Sequence, residues 1–230
     1  MTSWVVFALL LISLNGCEHS ARALPSPASS PLGPGAEGQQ EPPAPPLFED
    51  FEGTPRLSLF PRIGDYRPAD DDRERLSYWK TFLEHLSKTS GLIDLPAPQQ
   101  QAGRVFALRS VAGLESVGFF TPLAVLPERS YQVSLAVRTE LPEGGVFGVG
   151  VLEFDRFLWV GGQYTEKLVR THQTGVQMGL ELRGQHPWQS HQFRFITGPD
   201  TAMVHLVFFR EGAADRRPAL FDDLRIELLP

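Results

Sequence analysis

The run Tyr-Gln-Val-Ser-Leu-Ala-Val-Arg over residues 131–138 alternates apolar and polar side chains almost without error. Successive side chains of a strand point to opposite faces, so this run can satisfy itself only with a core on one side and solvent on the other. His191-Gln192-Phe193-Arg194-Phe195-Ile196 follows the same period, and segments 104–110, 146–154, 176–182, 203–209 and 219–228 are strand-like in composition. Turn signals separate them, among them Leu126-Pro127-Glu128, the stretch 141–145, Gly161-Gly162, Gly198-Pro199-Asp200 and Gly212-Ala213. Short strands spaced by roughly ten residues, with Gly and Pro as punctuation, predict an all-β fold, an antiparallel β-sandwich. Strands do not alternate with helices, which excludes a parallel α/β sheet. One segment departs from period two. Leu76, Trp79, Phe82, Leu83 and Leu86 recur at steps of three and four behind an aspartate cluster, which predicts one inserted helix over residues 71–88 with Trp79 on its core stripe.

The opening of the chain obeys a different rule. The apolar run from Trp4 to Leu14 is followed by Asn15-Gly16-Cys17. A helix of that length reaches about 16 Å at 1.5 Å per residue, whereas a hydrocarbon core of about 30 Å needs around 20 such residues. The run therefore reads as the hydrophobic region of a signal peptide and not as a membrane span. Leu14-Asn15-Gly16-Cys17 resembles a bacterial lipobox, which implies cleavage before Cys17 and lipidation of its thiol. Glu18 stands where an inner-membrane retention signal would place Asp, which points to a lipid-anchored protein of the bacterial cell envelope, at the outer membrane. Eight prolines then fall between Pro25 and Pro46 among Ser, Ala, Gly and Gln. Such a segment cannot form a core and acts as an extended spacer. The expected organisation is a signal peptide over 1–16, a lipidated Cys with a Pro-rich linker over 17–46, and a folded domain over 47–230.

The net charge of −6, with a pI near 5.5, argues against nucleic acid as a partner, because a basic footprint is needed to displace its counterions. A single Cys excludes an intrachain disulfide framework and any Cys-rich zinc site. The six histidines show no metal spacing. His186 and His191, five apart in a strand context, are expected on opposite faces. No nucleophile elbow, phosphate-binding Gly-rich loop, His-Glu-x-x-His or EF-hand loop is present.

Four stretches, in order, carry a resemblance: 48–53 (Phe-Glu-Asp-Phe-Glu-Gly), 126–135 (Leu-Pro-Glu-Arg-Ser-Tyr-Gln-Val-Ser-Leu), 188–195 (Trp-Gln-Ser-His-Gln-Phe-Arg-Phe) with Gly198-Pro199, and 220–226 (Leu-Phe-Asp-Asp-Leu-Arg-Ile). Together they resemble carbohydrate-binding modules of families 4, 9 and 22, within the galactose-binding-like jelly-roll superfamily. That resemblance implies a jelly-roll sandwich over Leu47 to Leu229 with its first and last strands side by side. It also implies a structural calcium ion, with Glu52, Asp222 and Asp223 at the matching positions; a hard cation of this kind takes several oxygen ligands. The same resemblance assigns Trp188 to structural packing.

Saccharide binding asks for aromatic faces beside hydrogen-bonding side chains. The face opposite the core residues offers Gln132, Ser134 and Arg138 on one strand and Gln192 and Arg194 on another, with Glu153 and His205 from neighbouring strands. Trp159 and Tyr164, flanking the Gly161-Gly162 pair, are the candidate stacking platforms. Arg138, Gln192 and Arg194 equally fit an ordinary solvated face. The sequence thus predicts a non-catalytic, membrane-tethered domain whose partner is a polysaccharide or other glycan. The alternatives are a structural lipoprotein that docks a protein partner through the same sandwich, and a glycoside hydrolase using a carboxylate pair such as Glu153 and Asp155.

Overall fold

The alternating run lies inside a strand, Ser130–Glu140, in which Tyr131, Val133, Leu135 and Val137 are buried in the main core and the residues between them are half-buried. The computed structural model describes residues 41–64, 76–77, 90–96, 103–110, 116–160, 165–212 and 217–230, all within the unit Gln40–Pro230. Its strands are β1 (Leu47–Glu49), β2 (Phe60–Gly64), β3 (Leu76–Ser77), β4 (Gly91–Leu95), β5 (Gly103–Leu108), β6 (Ser116–Ala124), β7 (Ser130–Glu140), β8 (Val146–Phe154), β9 (Gln173–Arg183), β10 (Gln185–Ile196), β11 (Met203–Glu211) and β12 (Ala219–Leu228). A short helix, α1 (Glu166–His172), precedes β9, with the Thr165 hydroxyl accepting from the Leu168 N–H at its start.

Two antiparallel sheets form a sandwich. Sheet A runs β10-β7-β12-β5-β4, with β1 also paired to β12; sheet B runs β3-β2-β6-β11-β8-β9. The core between them takes Phe106, Val133, Leu135, Val137, Phe193 and Phe221 from sheet A and Phe119, Phe147, Val149, Val151, Leu206 and Phe208 from sheet B. Phe221 sits at its centre, stacked on Phe208 across the layers (centroids 4.5 Å apart) and against Phe106 within its own sheet (5.0 Å). The outer side of sheet B is also apolar. Phe120, Leu152, Phe154, Val207 and Phe209 form a second cluster, joined by Leu158 and by Val169 of α1. Strands β8 and β11 are consequently buried on both faces, which explains their near-continuous apolar sequence. Among the described residues, no helix is long and apolar enough to cross a membrane.

The two ends of the folded unit meet as expected. Strand β1 pairs antiparallel with β12, Leu47 opposite Ile226 and Glu49 opposite Leu224. The Pro-rich stretch is also tied to sheet B, where the Pro43 carbonyl accepts from the Ala124 N–H of β6 at 2.8 Å. The helix expected over 71–88 lies outside the described residues except at Leu76–Ser77, and those two residues are extended, opposite Gly64 and Ile63 of β2. A ladder partner overrides a helical apolar period when the neighbouring strand supplies the hydrogen bonds.

Glu49 is the one charged side chain of β1, and it is buried. Its carboxylate accepts from three backbone N–H groups of the following loop: Phe51 at 2.8 Å, Leu57 at 2.9 Å, and Arg56. This cradle holds Phe51 at φ 57°, a left-handed conformation that a bulky residue avoids, and so delivers the Phe51 ring to Phe221. Replacing the acceptor leaves buried donors without partners. Glu49→Ala is therefore expected to lower the unfolding free energy by about 3 kcal/mol, and Glu49→Gln, which keeps one acceptor oxygen, by less. Urea denaturation of both variants checks this, and equal losses would refute the cradle.

Candidate functional site

Strand β10 is the edge of sheet A, and its outward side chains are placed by its register on β7. Arg194 lies opposite Gln132, Gln192 opposite Ser134, and Ser190 opposite Ala136. Phe193 and Phe195 of the same strand enter the core, so Gln192 and Arg194 project outward by the period of the strand. Arg194 donates from Nε to the Gln132 side-chain oxygen at 3.3 Å. At the far end of this row a bulge interrupts the register between His186 and Gln189. The bulge lifts Trp188 onto the outer face of sheet A, where it packs beside Val105, Ala107 and Leu220. Leu220 in turn lies opposite Arg138.

These residues bound a cleft of about 610 Å³ lined by Arg138, Thr139, Glu140, His186, Pro187 and Trp188. Its floor is fixed from behind. The Thr139 hydroxyl and the Leu141 N–H both donate to the Gly184 carbonyl, at 2.9 and 3.1 Å, in the turn joining β9 to β10. That turn needs φ +78°, which Gly184 adopts without a Cβ penalty. Arg138 pairs with Glu140 at the rim, both side chains being substantially solvent-exposed. The Trp188 Nε1–H is buried and finds no acceptor among the described residues. The cleft therefore offers a large aromatic ring beside a guanidinium, a carboxylate and an imidazole, the mixture by which concave sites hold polar ligands that carry apolar faces.

The sequence-derived site residues divide. Arg138, Gln192 and Arg194 share the outer face of sheet A. Glu153 does not join them: it is buried, and its carboxylate accepts from Gln177 Nε2 (2.7 Å), the Gly198 N–H (2.8 Å) and the Thr201 hydroxyl (2.6 Å). Both carboxylate oxygens are engaged in tying β8 to β9 and to the turn before β11. The other half of the expected carboxylate pair, Asp155, bonds His172 Nδ1 at 2.9 Å. His205 is likewise no ligand residue. It is fully buried on the outer side of sheet B, between the rings of Phe120 and Phe154, each 4.4 Å away. Trp159 is half exposed and sits edge-on to Phe157 at 4.9 Å, but it lines a separate cleft of about 470 Å³ with Pro43, Pro46, Phe60 and Pro122. Tyr164 lies outside the described residues. Trp188, expected in structural packing, does pack, yet it also lines the sheet A cleft. The signal in the sequence was the outward polar row beside it, Ser190 and Gln192, in a strand whose bulge no periodicity reveals.

The calcium donors implied by resemblance lie in the loop after β1 and at the bulge of β12. Glu52 directs Oε1 to the Arg104 N–H at the start of β5, and Asp222 Oδ1 accepts from the Asp223 N–H at 2.8 Å. Asp223 itself turns through φ 50° in the bulge of β12. Among the described residues no group of three His, Cys, Asp or Glu side chains is placed to hold a metal ion.

No protein-family model matches this sequence, and no curated protein matches it. Among solved structures, the enzymatically active domain of tailspike protein 4 of bacteriophage CBA120 aligns with a TM-score of 0.46 and 9% identity, over 78% of this chain and 20% of that one. The CBM22-1–GH10 modules of a Clostridium thermocellum xylanase, complexed with xylohexaose, align at 0.42 and 13%, over 61% and 25%. A CBM22-1 xylan-binding domain from Paenibacillus barcinonensis aligns at 0.40 and 12%, over 79% and 92%. The chain spans a fifth and a quarter of the first two. At such identities and TM-scores these likenesses bear on neither ligand nor activity, and the fold rests on the strand pairing itself.

The environment of His205 has a thermodynamic consequence. Burial, and then the neighbouring Arg62 guanidinium, hold its imidazole well below the usual 6.5. The folded state therefore keeps it neutral while the unfolded chain takes up a proton once the pH drops below about 6.5. Stability from this residue is complete above that pH and is lost as the pH falls toward the depressed folded value, with a slope of about 1.4 kcal/mol per pH unit. Thermal melts between pH 7.5 and 5 should show this slope, and His205→Leu should flatten it whatever it does to the absolute stability. An unchanged slope in the variant would refute the assignment.

Proposed function

We propose that the outer face of sheet A, with the Arg138–Trp188 cleft at one end and Gln192 and Arg194 along its row, binds glycan without chemically altering it. The observation that carries this reading is the joint placement of the Trp188 ring and the Arg138–Glu140 pair around one cleft of about 610 Å³. A pyranose has an apolar face of C–H groups and an equator of hydroxyls. The indole matches the first, and the charged and amide side chains along β7 and β10 match the second by donating to and accepting from hydroxyls. The row of outward polar residues on β10 continues from the cleft, which suits a ligand longer than one sugar.

The remaining parts of the reading concern delivery. In this reading Cys17 is lipidated and the Pro-rich stretch that follows is a spacer that tethers the domain to an envelope membrane, where polysaccharide is encountered. Several acyl chains are needed for stable anchoring, since each buried CH₂ adds about 0.8 kcal/mol.

Affinity gel electrophoresis and calorimetry against soluble polysaccharides, including xylan and β-1,4-galactan, test the binding face. Trp188→Ala is expected to weaken retention at least about tenfold and Arg138→Ala by several-fold, as for the central residues of a binding surface. Trp159→Ala, in the other cleft, should leave retention unchanged. No retained polysaccharide, or loss on Trp159→Ala alone, would defeat the proposal. Anchoring has its own readout: labelled palmitate should be incorporated by the full chain and not by Cys17→Ala, and equal labelling would remove the lipid from the picture.

A further inference from the structure

The bulge in β10 does something else. It cancels the odd spacing of His186 and His191, so that both face the same side of the strand, opposite Thr139 and Leu135 of β7. Their rings stand 6.4 Å apart, centroid to centroid, and nearly perpendicular at 86°. His186 places Nε2 2.9 Å from the Arg183 carbonyl. A carbonyl only accepts, so Nε2 carries a proton, which in the neutral ring leaves the lone pair on Nδ1. His191 has a buried Nε2 with no hydrogen-bond partner among the described residues.

We propose that His186 and His191 together bind one divalent transition-metal ion of the Zn²⁺, Ni²⁺ or Cu²⁺ kind. Imidazole nitrogen suits these borderline ions, and a bound ligand histidine ordinarily donates its other ring N–H to a carbonyl, as His186 does to Arg183. Two metal–nitrogen bonds of about 2.0–2.1 Å, each continued to its ring centre, can span the 6.4 Å between the centroids. The neutral form that ligation requires is also the favoured one for His191, whose pKa is lowered by burial and by the nearby His186. The nearby cations on β7 and at the end of β9 are paired. Arg138 is paired with Glu140 on β7, and Arg183 with Glu181 on β9. No third His, Cys, Asp or Glu completes the set among the described residues, so water fills the remaining positions and the site is weaker than a four-ligand structural one. An ion held here would pin the bulge that carries Pro187 and Trp188 between its two ligands. His186 also lines the neighbouring cleft, but its ligation together with His191 requires no glycan there.

Calorimetric titration of the full chain, free of any polyhistidine tag, with Zn²⁺ and Ni²⁺ as chlorides tests it. One ion per chain is expected, with a higher melting temperature at saturation and no response to Ca²⁺, which prefers oxygen ligands. His186→Asn and His191→Gln should each weaken Zn²⁺ binding at least tenfold. Absence of saturable binding overturns the proposal, as does unchanged affinity in either variant, which would place the ion on another histidine such as His172. Since a variant can misfold, the wild-type chain supplies a second readout. Substoichiometric Cu²⁺ should broaden amide resonances around residues 186–191 first, and broadening centred elsewhere overturns the site equally.

Discussion

Strand β12 is the element on which the rest of the fold depends. It is the last strand of the chain, yet it lies inside sheet A, hydrogen-bonded to β7, β5 and β1. Its Phe221 is the centre of the ring cluster that joins the two layers. Until β12 arrives, β5 and β7 have unpaired edges and the core has no central ring. A sheet completed by its final strand brings together residues far apart in sequence, and such pairing is slow because loop-closure entropy precedes the reward. The bulge at Asp222–Arg225, with Asp223 turned through positive φ, lets one strand serve β5 at its start and β1 beyond the bend.

The polar groups inside this frame are there for architecture. Glu49 closes a loop against three N–H donors, and Glu153 ties β8 to β9 and to the turn before β11. Burying a charge is unfavourable unless hydrogen bonds replace the lost water, and here they do. His205 follows another route, remaining neutral between two phenylalanine rings. Each of these side chains occupies a strand position where polarity would ordinarily signal solvent. Sheet B is covered on its outer side and Glu49 is enclosed by its own loop, so the usual equation of polar with exposed fails at these positions and holds along the outward row of β10.

On sheet A, the candidate site and the irregularity coincide. Regular β10 geometry would have left His186 and His191 on opposite faces. One bulge places Trp188 at the cleft with Arg138 and brings the two imidazoles to one side of the strand, with His186 also lining that cleft. Edge strands commonly carry bulges where a side chain must be re-aimed, and they also blunt the edge against pairing with another chain.

Alternation over 131–138 and 191–196, with Gly and Pro punctuation, was enough to specify strands, the layered class, and which side of β7 and β10 faces solvent. Those properties are local: they follow from a two-residue period and from the conformations that turn residues allow. Arg138, Gln192 and Arg194 were legible as one face for that reason. The rest required the packed structure. Whether Glu153 and His205 meet water depends on what covers sheet B, and whether Trp159 shares a cleft with Arg138 depends on which sheet each loop folds over. A bulge is one extra residue in a ladder, invisible without the partner strand against which it is extra. Period sets the faces of a strand, whereas only its neighbours decide what those faces meet.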